Sequence, residues 1–223
     1  MMELLHPLSL DSAMPLLHST SRSSRIYLVK YYKRLKEKLL YQVYNPTKDL
    51  PWLSQLFDYG FIVQKQLYRG TRDGFNHQGF HSKVDGHGHT LLFVMTETGH
   101  RFGAYVSLAW EGHVGVPRTY KDAKSFIFSL THKTVHKLKN KDELVINHSH
   151  KGASSIFSMG LWADICISVD CNNNKGSFCR LGSSYELPEH LMGKEDSKEA
   201  KEYLGGKERF KVVEMEVYKI MPM

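Results

Sequence analysis

The sequence predicts an α+β fold that is mainly β: a two-sheet antiparallel β-sandwich with short flanking helices and an N-terminal helical extension. Three observations carry this expectation. From residue 61 onward the apolar period is two rather than 3.6. Strand-like runs then succeed one another without regular helices between them, which argues against a parallel α/β sheet. Tyr and Phe, which suit a pleated and half-buried surface, number 12 and 11. A chain of 223 residues suits one core with an extension.

Residues 1–24 are Ser-rich and aperiodic and read as a flexible arm. Residues 25–60 read as the helical extension. Within it, Leu28, Tyr32, Leu35, Leu39 and Val43 recur at spacings of three and four and predict a helix over 25–44. Ser23 or Ser24 would cap it, and Asn45-Pro46 would end it. A second short helix is expected from Asp49 through Phe57, stopping at Gly60. The third unit, 61–223, opens with a strand over Phe61–Tyr68 and a charged turn over Gly70–Gly74. A short helix over Phe75–Val84 follows, with Asn76 as a cap. His89–Thr96 and Arg101–Ala109 flank Glu97-Thr98-Gly99-His100, a hairpin signal. Further strands are expected over Ser125–Thr131, Glu143–His148, Asp164–Asp170 and Lys211–Ile220. In the last two, Ile165, Ile167 and Val169 share a face, as do Val213, Met215 and Val217. Their partners across the pleat, among them Glu214 and Glu216, would face water or a partner layer. Cys171–Ser177 reads as an exposed, flexible loop.

The formal net charge is +7. The excess is concentrated in residues 22–38, where Arg22, Arg25, Lys30, Lys33, Arg34, Lys36 and Lys38 face one acid, Glu37. From Arg25 to Lys38 the basic side chains offer peripheral contact with an anionic surface, and no specific nucleic-acid site is read there. Three cysteines, Cys166, Cys171 and Cys179, do not form a secreted disulfide framework. No apolar run reaches the roughly 20 residues of a spanning helix. No secretory signal is read, and a cytoplasmic setting is expected.

Histidine is the strongest enzyme-like feature. His77 and His81 fall one helical turn apart, and His87 and His89 alternate along a Gly-rich stretch after Asp85. A metal-dependent hydrolase could be built on these four. No HExxH helix, CxxC pair, phosphate loop or nucleophile elbow accompanies them, so no cofactor or metal is expected. Glu214 and Glu216 are a pair of carboxylates on one strand face, with Arg69, Arg72 and Arg101 as candidate partners.

A string of local motifs appears in order along the chain. It begins with Leu67-Tyr68-Arg69-Gly70-Thr71-Arg72-Asp73-Gly74-Phe75 and Phe80-His81-Ser82-Lys83. Phe102-Gly103-Ala104-Tyr105, Ser107, Trp110 and Ser125-Phe126-Ile127-Phe128 follow. Gly160, Asp164-Ile165-Cys166-Ile167 and Leu181-Gly182-Ser183-Ser184-Tyr185 come later, and Val213-Glu214-Met215-Glu216-Val217-Tyr218 closes the set. The succession resembles the TLDc domain family, which includes the oxidation resistance proteins, and the variant here is similar to short protist members. One departure is Ser158, where the family has glycine. The resemblance implies a non-enzymatic, protein-binding sandwich linked to oxidative-stress resistance, with the vacuolar proton ATPase as partner. It supplies no active site. Arg69, Gly70, Arg72, Asp73, Gly74, Phe75, Gly103, Ser107, Trp110, Phe128, Gly160, Asp164, Gly182, Glu214 and Glu216 are read as structural motif residues. A scaffolding component of a filament or complex is the other non-catalytic reading.

Overall fold

Strand β2 (Thr90–Thr96) is buried along nearly its whole length. A strand apolar on both faces needs a layer on each side, and the computed structural model supplies both. It describes residues 42–112, 118–148 and 154–223. The arm expected over 1–24 and the helix expected over 25–44, up to residue 41, lie outside the described residues.

Two antiparallel six-stranded sheets form the body. The first runs, in spatial order, β1 (Phe61–Arg69), β12 (Val212–Pro222), β2, β3 (Arg101–Val106), β5 (Phe126–Ser129) and β6 (Thr134–Lys137). The second runs β11 (Arg209–Phe210), β10 (Ser177–Cys179), β9 (Ile165–Ser168), β8 (Ser155–Met159), β7 (Leu144–His148) and β4 (Arg118–Lys121). Leu92, Val94, Phe102, Ile127, Met215 and Val217 from the first sheet share one core with Ile156, Phe157, Met159, Ile165 and Ile167 from the second. This is the sandwich that the period-two reading predicts. Strands β4, β6, β8, β10 and β11 were not legible in the sequence; they run two to five residues, too short for an alternation to register.

The outer face of the first sheet carries a second core. Leu91, Phe93, Tyr105, Phe126, Phe128, Tyr218 and Ile220 pack there against Val43, Tyr44 and Leu53. Helix α1 (Pro46–Leu53) and a 3₁₀ turn over Ser54–Leu56 complete the cover. Pro46, read as the end of a preceding helix, is instead the start of α1. Its missing N–H is an orphan at that position anyway, and the Asn45 side chain accepts the Lys48 N–H at 3.2 Å. Val43 and Tyr44 belong to no helix.

Other expectations change in detail. Gly70–Gly74 is not a plain turn: α2 (Gly70–Asp73) is one helical turn, closed by Gly74. Helix α3 (His77–Val84) begins after its Asn76 cap, whose side chain accepts the Gly79 N–H at 2.8 Å. Cys171 is fully buried and its carbonyl accepts the Val212 N–H, so the exposed part of that loop is Asn172 to Lys175.

Strand β12 departs from clean alternation. A register shift between Val212 and Glu214 inserts one extra residue against β2. The shift puts Val212 in the core with Met215 and Val217 and leaves Val213 half-buried, contrary to the expected Val213 face. The opposite side of β12 is not wet either, because Glu214, Glu216 and Tyr218 are all buried. Met215→Ala is therefore expected to cost about 2–4 kcal/mol and Val213→Ala less than about 1 kcal/mol. Chemical denaturation of the two variants checks this; equal losses would contradict the bulge.

Candidate protein-binding site

Most of the motif residues meet in polar knots, buried at Glu214 and Asp164 and open to solvent at Arg72. Arg69 ends β1 and donates from Nε to Glu214 Oε2 at 2.8 Å. Glu214 also accepts the Thr71 N–H at 3.0 Å, the Thr71 hydroxyl at 2.5 Å and the Met215 N–H at 3.0 Å. Arg72 pairs with Asp73 at 2.7 Å and reaches back to the Leu67 carbonyl, while Asp73 accepts the Arg69 N–H at 2.9 Å. Gly70 lies under the Phe75 ring and Gly103 under Phe128, each closer than a side chain would allow. Trp110 donates to Thr90 Oγ1 at 2.8 Å, and Ser107 binds Asp122 through both its N–H and its hydroxyl.

Glu216 lies outside the Arg69–Glu214 pair. It accepts the Tyr44 N–H at 3.1 Å and the Tyr218 hydroxyl at 3.3 Å, both on Oε2. Its Oε1 has no partner among the described residues. Burial and the neighbouring Glu214 charge push its carboxyl above the usual range. Of the three arginines expected for the two acids, only Arg69 reaches one of them. Arg101 instead bridges Asp49, at 2.8 Å, and the Val43 carbonyl, at 2.9 Å, and so fastens α1 to β3.

A third knot supports an exposed surface. Asp164 is fully buried at the start of β9. Its carboxylate accepts four backbone N–H groups, from Gly182 and Ser183 at 3.0 Å, Ser184 at 2.9 Å and Tyr185 at 3.3 Å. Burial pushes its pKa up to about 6, against the four donors, which favour the charged form. Gly160, at φ +84°, leaves room for this carboxylate: a Cβ there would fall 1.9 Å from Asp164 Oδ2. Between Gly160 and Asp164 the chain turns through Leu161, Trp162 and Ala163. The turn is fixed by the Leu161 N–H to Ser184 Oγ at 2.8 Å and the Ala163 N–H to the Gly160 carbonyl at 3.1 Å. Ala163 sits at φ +63°, an uncommon state for a residue with a side chain. Trp162 is 70% exposed and Leu161 54% exposed at its tip. Beside Trp162 opens a cleft of about 330 Å³, bordered by Glu143, Arg180, Ser183, Glu195 and Asp196. Ser158, the departure from the family pattern, lies in β8 opposite Cys166 and Asn147, where a serine fits an ordinary strand position.

The histidines do not converge on one point. His81 is buried. It bonds Asp85 at 2.7 Å and the Ile156 carbonyl at 3.2 Å, and packs against the His77 ring at a tilt. His89 bonds the Tyr105 hydroxyl at 2.7 Å, and the His87 N–H and carbonyl join the backbone of 84–110. Among the described residues no group of three His, Cys, Asp or Glu is placed to hold a metal ion. The cysteines are free. Cys171 and Cys179 are buried, the former contrary to the exposed loop expected over Cys171–Ser177. Burial raises the Cys166 thiol to about 11 and the Cys171 thiol to about 12, so neither is a ready thiolate.

His136 gives a pH signature. It is fully buried, bonding the Glu186 carbonyl at 2.9 Å and the Thr134 hydroxyl at 3.0 Å, an arrangement suited to the neutral ring. Burial lowers its pKa from 6.5 to about 4. The folded state thus binds fewer protons than the unfolded chain between those values. Its contribution is lost as pH falls through that window, by on the order of 3 kcal/mol. Asp164, raised from 3.8 to about 6, acts with opposite sign between those pH values. The parent is therefore compared with His136→Gln: its stability advantage should shrink steadily from pH 7 to pH 4. An advantage independent of pH would contradict a buried neutral ring.

Asp122 and Asp49 contribute to these knots without having been read as partners in the sequence. Each is a common polar residue whose partner lies elsewhere in the chain, and no local pattern marks that pairing. Trp162 was not singled out either; its exposure depends on the turn geometry, which spacing does not encode.

Two face-to-face antiparallel sheets with charged knots holding their ends define a β-sandwich. The chain matches the TLDc domain over residues 33–221 and belongs to that family, whose members are generally non-enzymatic. The match begins inside the segment read as the extension. No curated protein sequence matches the chain. Among the described residues no helix is long and apolar enough to cross a membrane.

Proposed function

We propose that this chain is a non-enzymatic TLDc module that binds and regulates a large protein assembly in the cytoplasm, with the vacuolar proton-pumping ATPase as partner and a consequent link to oxidative-stress resistance. The partner follows from family resemblance. One observation supports a binding role: Leu161 and Trp162 are held out from the surface by a turn tied down at both ends. An exposed tryptophan on a rigid support is a suitable interface anchor, because little entropy is lost when it docks. The high thiol pKa values argue that any protection from oxidants comes through the partner, not through cysteine chemistry in the sandwich.

The test is reconstitution. The purified full chain, added to vacuolar membranes, is expected to co-sediment with the pump's peripheral sector and to change ATP-driven acidification. Co-sedimentation without any change in acidification would favour the scaffolding reading. Loss of both would overturn the choice of partner. Metal analysis of the same preparation addresses the hydrolase reading: about one zinc per chain, lost in His77→Ala/His81→Ala, would revive it.

A further inference from the structure

We propose that the cleft beside Trp162 is a binding site for a lysine side chain presented by a partner protein. This rests on the protein-binding reading above and names the chemistry of the contact.

The chain as a whole is basic, at +7, yet this cleft gathers three carboxylates, Glu143, Glu195 and Asp196. Glu143 and Asp196 form no ion pair among the described residues, and Glu195 pairs loosely, at 3.8 Å, with Lys139, whose ammonium also donates to the Gly182 carbonyl at 2.5 Å. Arg180, the one basic residue on the rim, lies over the Phe178 ring at 5.3 Å. Three carboxylates thus face two cations, Arg180 on the rim and Lys139 beside Glu195, so the acids are in excess.

Two further features point to a cationic, hydrogen-bonding ligand. The first is Trp162, the aromatic side chain best suited to a cation and the most exposed of the three tryptophans. The second is Ser183, whose hydroxyl is buried, lacks a partner and belongs to a residue lining the cleft. An unsatisfied buried hydroxyl is costly, and a ligand donor would relieve it. An ammonium group brings three donors, enough for a carboxylate on each side and the serine hydroxyl, while its four-carbon stem can lie on the indole.

The site is preorganised. Ser183 is fixed by its N–H on Asp164, and Trp162 sits on the turn that Gly160 and Asp164 lock. Gly182, at φ +108°, leaves space for the Glu195 stem; a Cβ there would lie 3.0 Å from Glu195 Cγ. The aromatic wall is thus anchored on the buried Asp164 carboxylate, and Gly182 of the loop bound to it makes room for Glu195 of the acidic wall.

The probe is N-acetyl tetralysine amide, with its Nε-acetylated counterpart as the neutral control. In proton–nitrogen spectra of the full chain, the indole signal of Trp162, assigned by Trp162→Phe, should shift saturably with tetralysine. It should stay in place with the acetylated peptide, and the signal of buried Trp110 should not move. By fluorescence polarisation of labelled tetralysine, Trp162→Ala should bind about fivefold more weakly or worse. Glu195→Gln/Asp196→Asn should also weaken binding, and added salt should reduce it further. An unmoved Trp162 signal, an equal response to the acetylated peptide, or unchanged affinity in Trp162→Ala would each overturn the proposal. Unshifted Trp110 signals in the variants show that they fold. Tetralysine binding is measured without the pump, so the two proposals fail separately. A chain that binds tetralysine at Trp162 but ignores the pump keeps the cleft and loses the partner; one that regulates the pump but ignores tetralysine does the reverse.

Discussion

Asp164→Ala is expected to destabilise the fold by about 3–5 kcal/mol, because it strips the acceptor from four backbone N–H groups at once. For a domain of this size that corresponds to a fall in melting temperature on the order of 10 °C. Asp164→Asn should do only somewhat better. It keeps the volume and one acceptor, but turns an amide donor towards a backbone donor. The loss should be accompanied by a loosened Trp162 turn, since Gly160 to Ser184 is built around this carboxylate. Differential scanning calorimetry gives the stability, and the indole signal of Trp162 reports the turn. An Asp164→Ala protein melting within a few degrees of the parent would show that water replaces the carboxylate without penalty.

Arg69→Met should be comparably severe, at about 3–5 kcal/mol, for a different reason. Glu214 is wholly buried, and Arg69, only 12% exposed, provides its cationic partner. Removing the guanidinium leaves Glu214 with neutral donors only, from Thr71 and Met215. The double variant Arg69→Met/Glu214→Gln should recover part of the loss, because the uncompensated charge goes too. Urea titrations of the two single variants and the double variant give the coupling directly. Strict additivity would mean that the two side chains do not act as a pair.

Both predictions concern residues that the motif order brought forward, and their contrast shows how far the sequence could be read. The alternation from residue 61 was enough for a sandwich, because a half-buried strand must place apolar groups at every second position. It failed where that premise fails. Strand β2 is covered on both sides, so its run of apolar residues carries no phase, and β12 shifts phase at a bulge that no local pattern announces. Pro46 was misread because the same residue can close one helix or open the next, and the capping contact from Asn45 decides between them. The charged knots were half legible. Arg69 and Glu214 were named as possible partners, yet the pairing of Arg101 with Asp49 depends on how α1 folds over the sheet. The Trp162 cleft was the least legible, since its walls come from four separate loops or strand ends that meet only in the folded chain.

Under the proposed function the buried motif residues build the scaffold, while partner recognition belongs to the exposed turn. Trp162→Ala separates the two most directly, because the side chain is 70% exposed and its removal leaves the Asp164 knot in place. The measurement is co-sedimentation of the variant with vacuolar membranes, paired with its melting temperature. The account predicts a melting temperature within a few degrees of the parent and a large loss of co-sedimentation with the pump. A variant that melts like the parent and still co-sediments fully would contradict it.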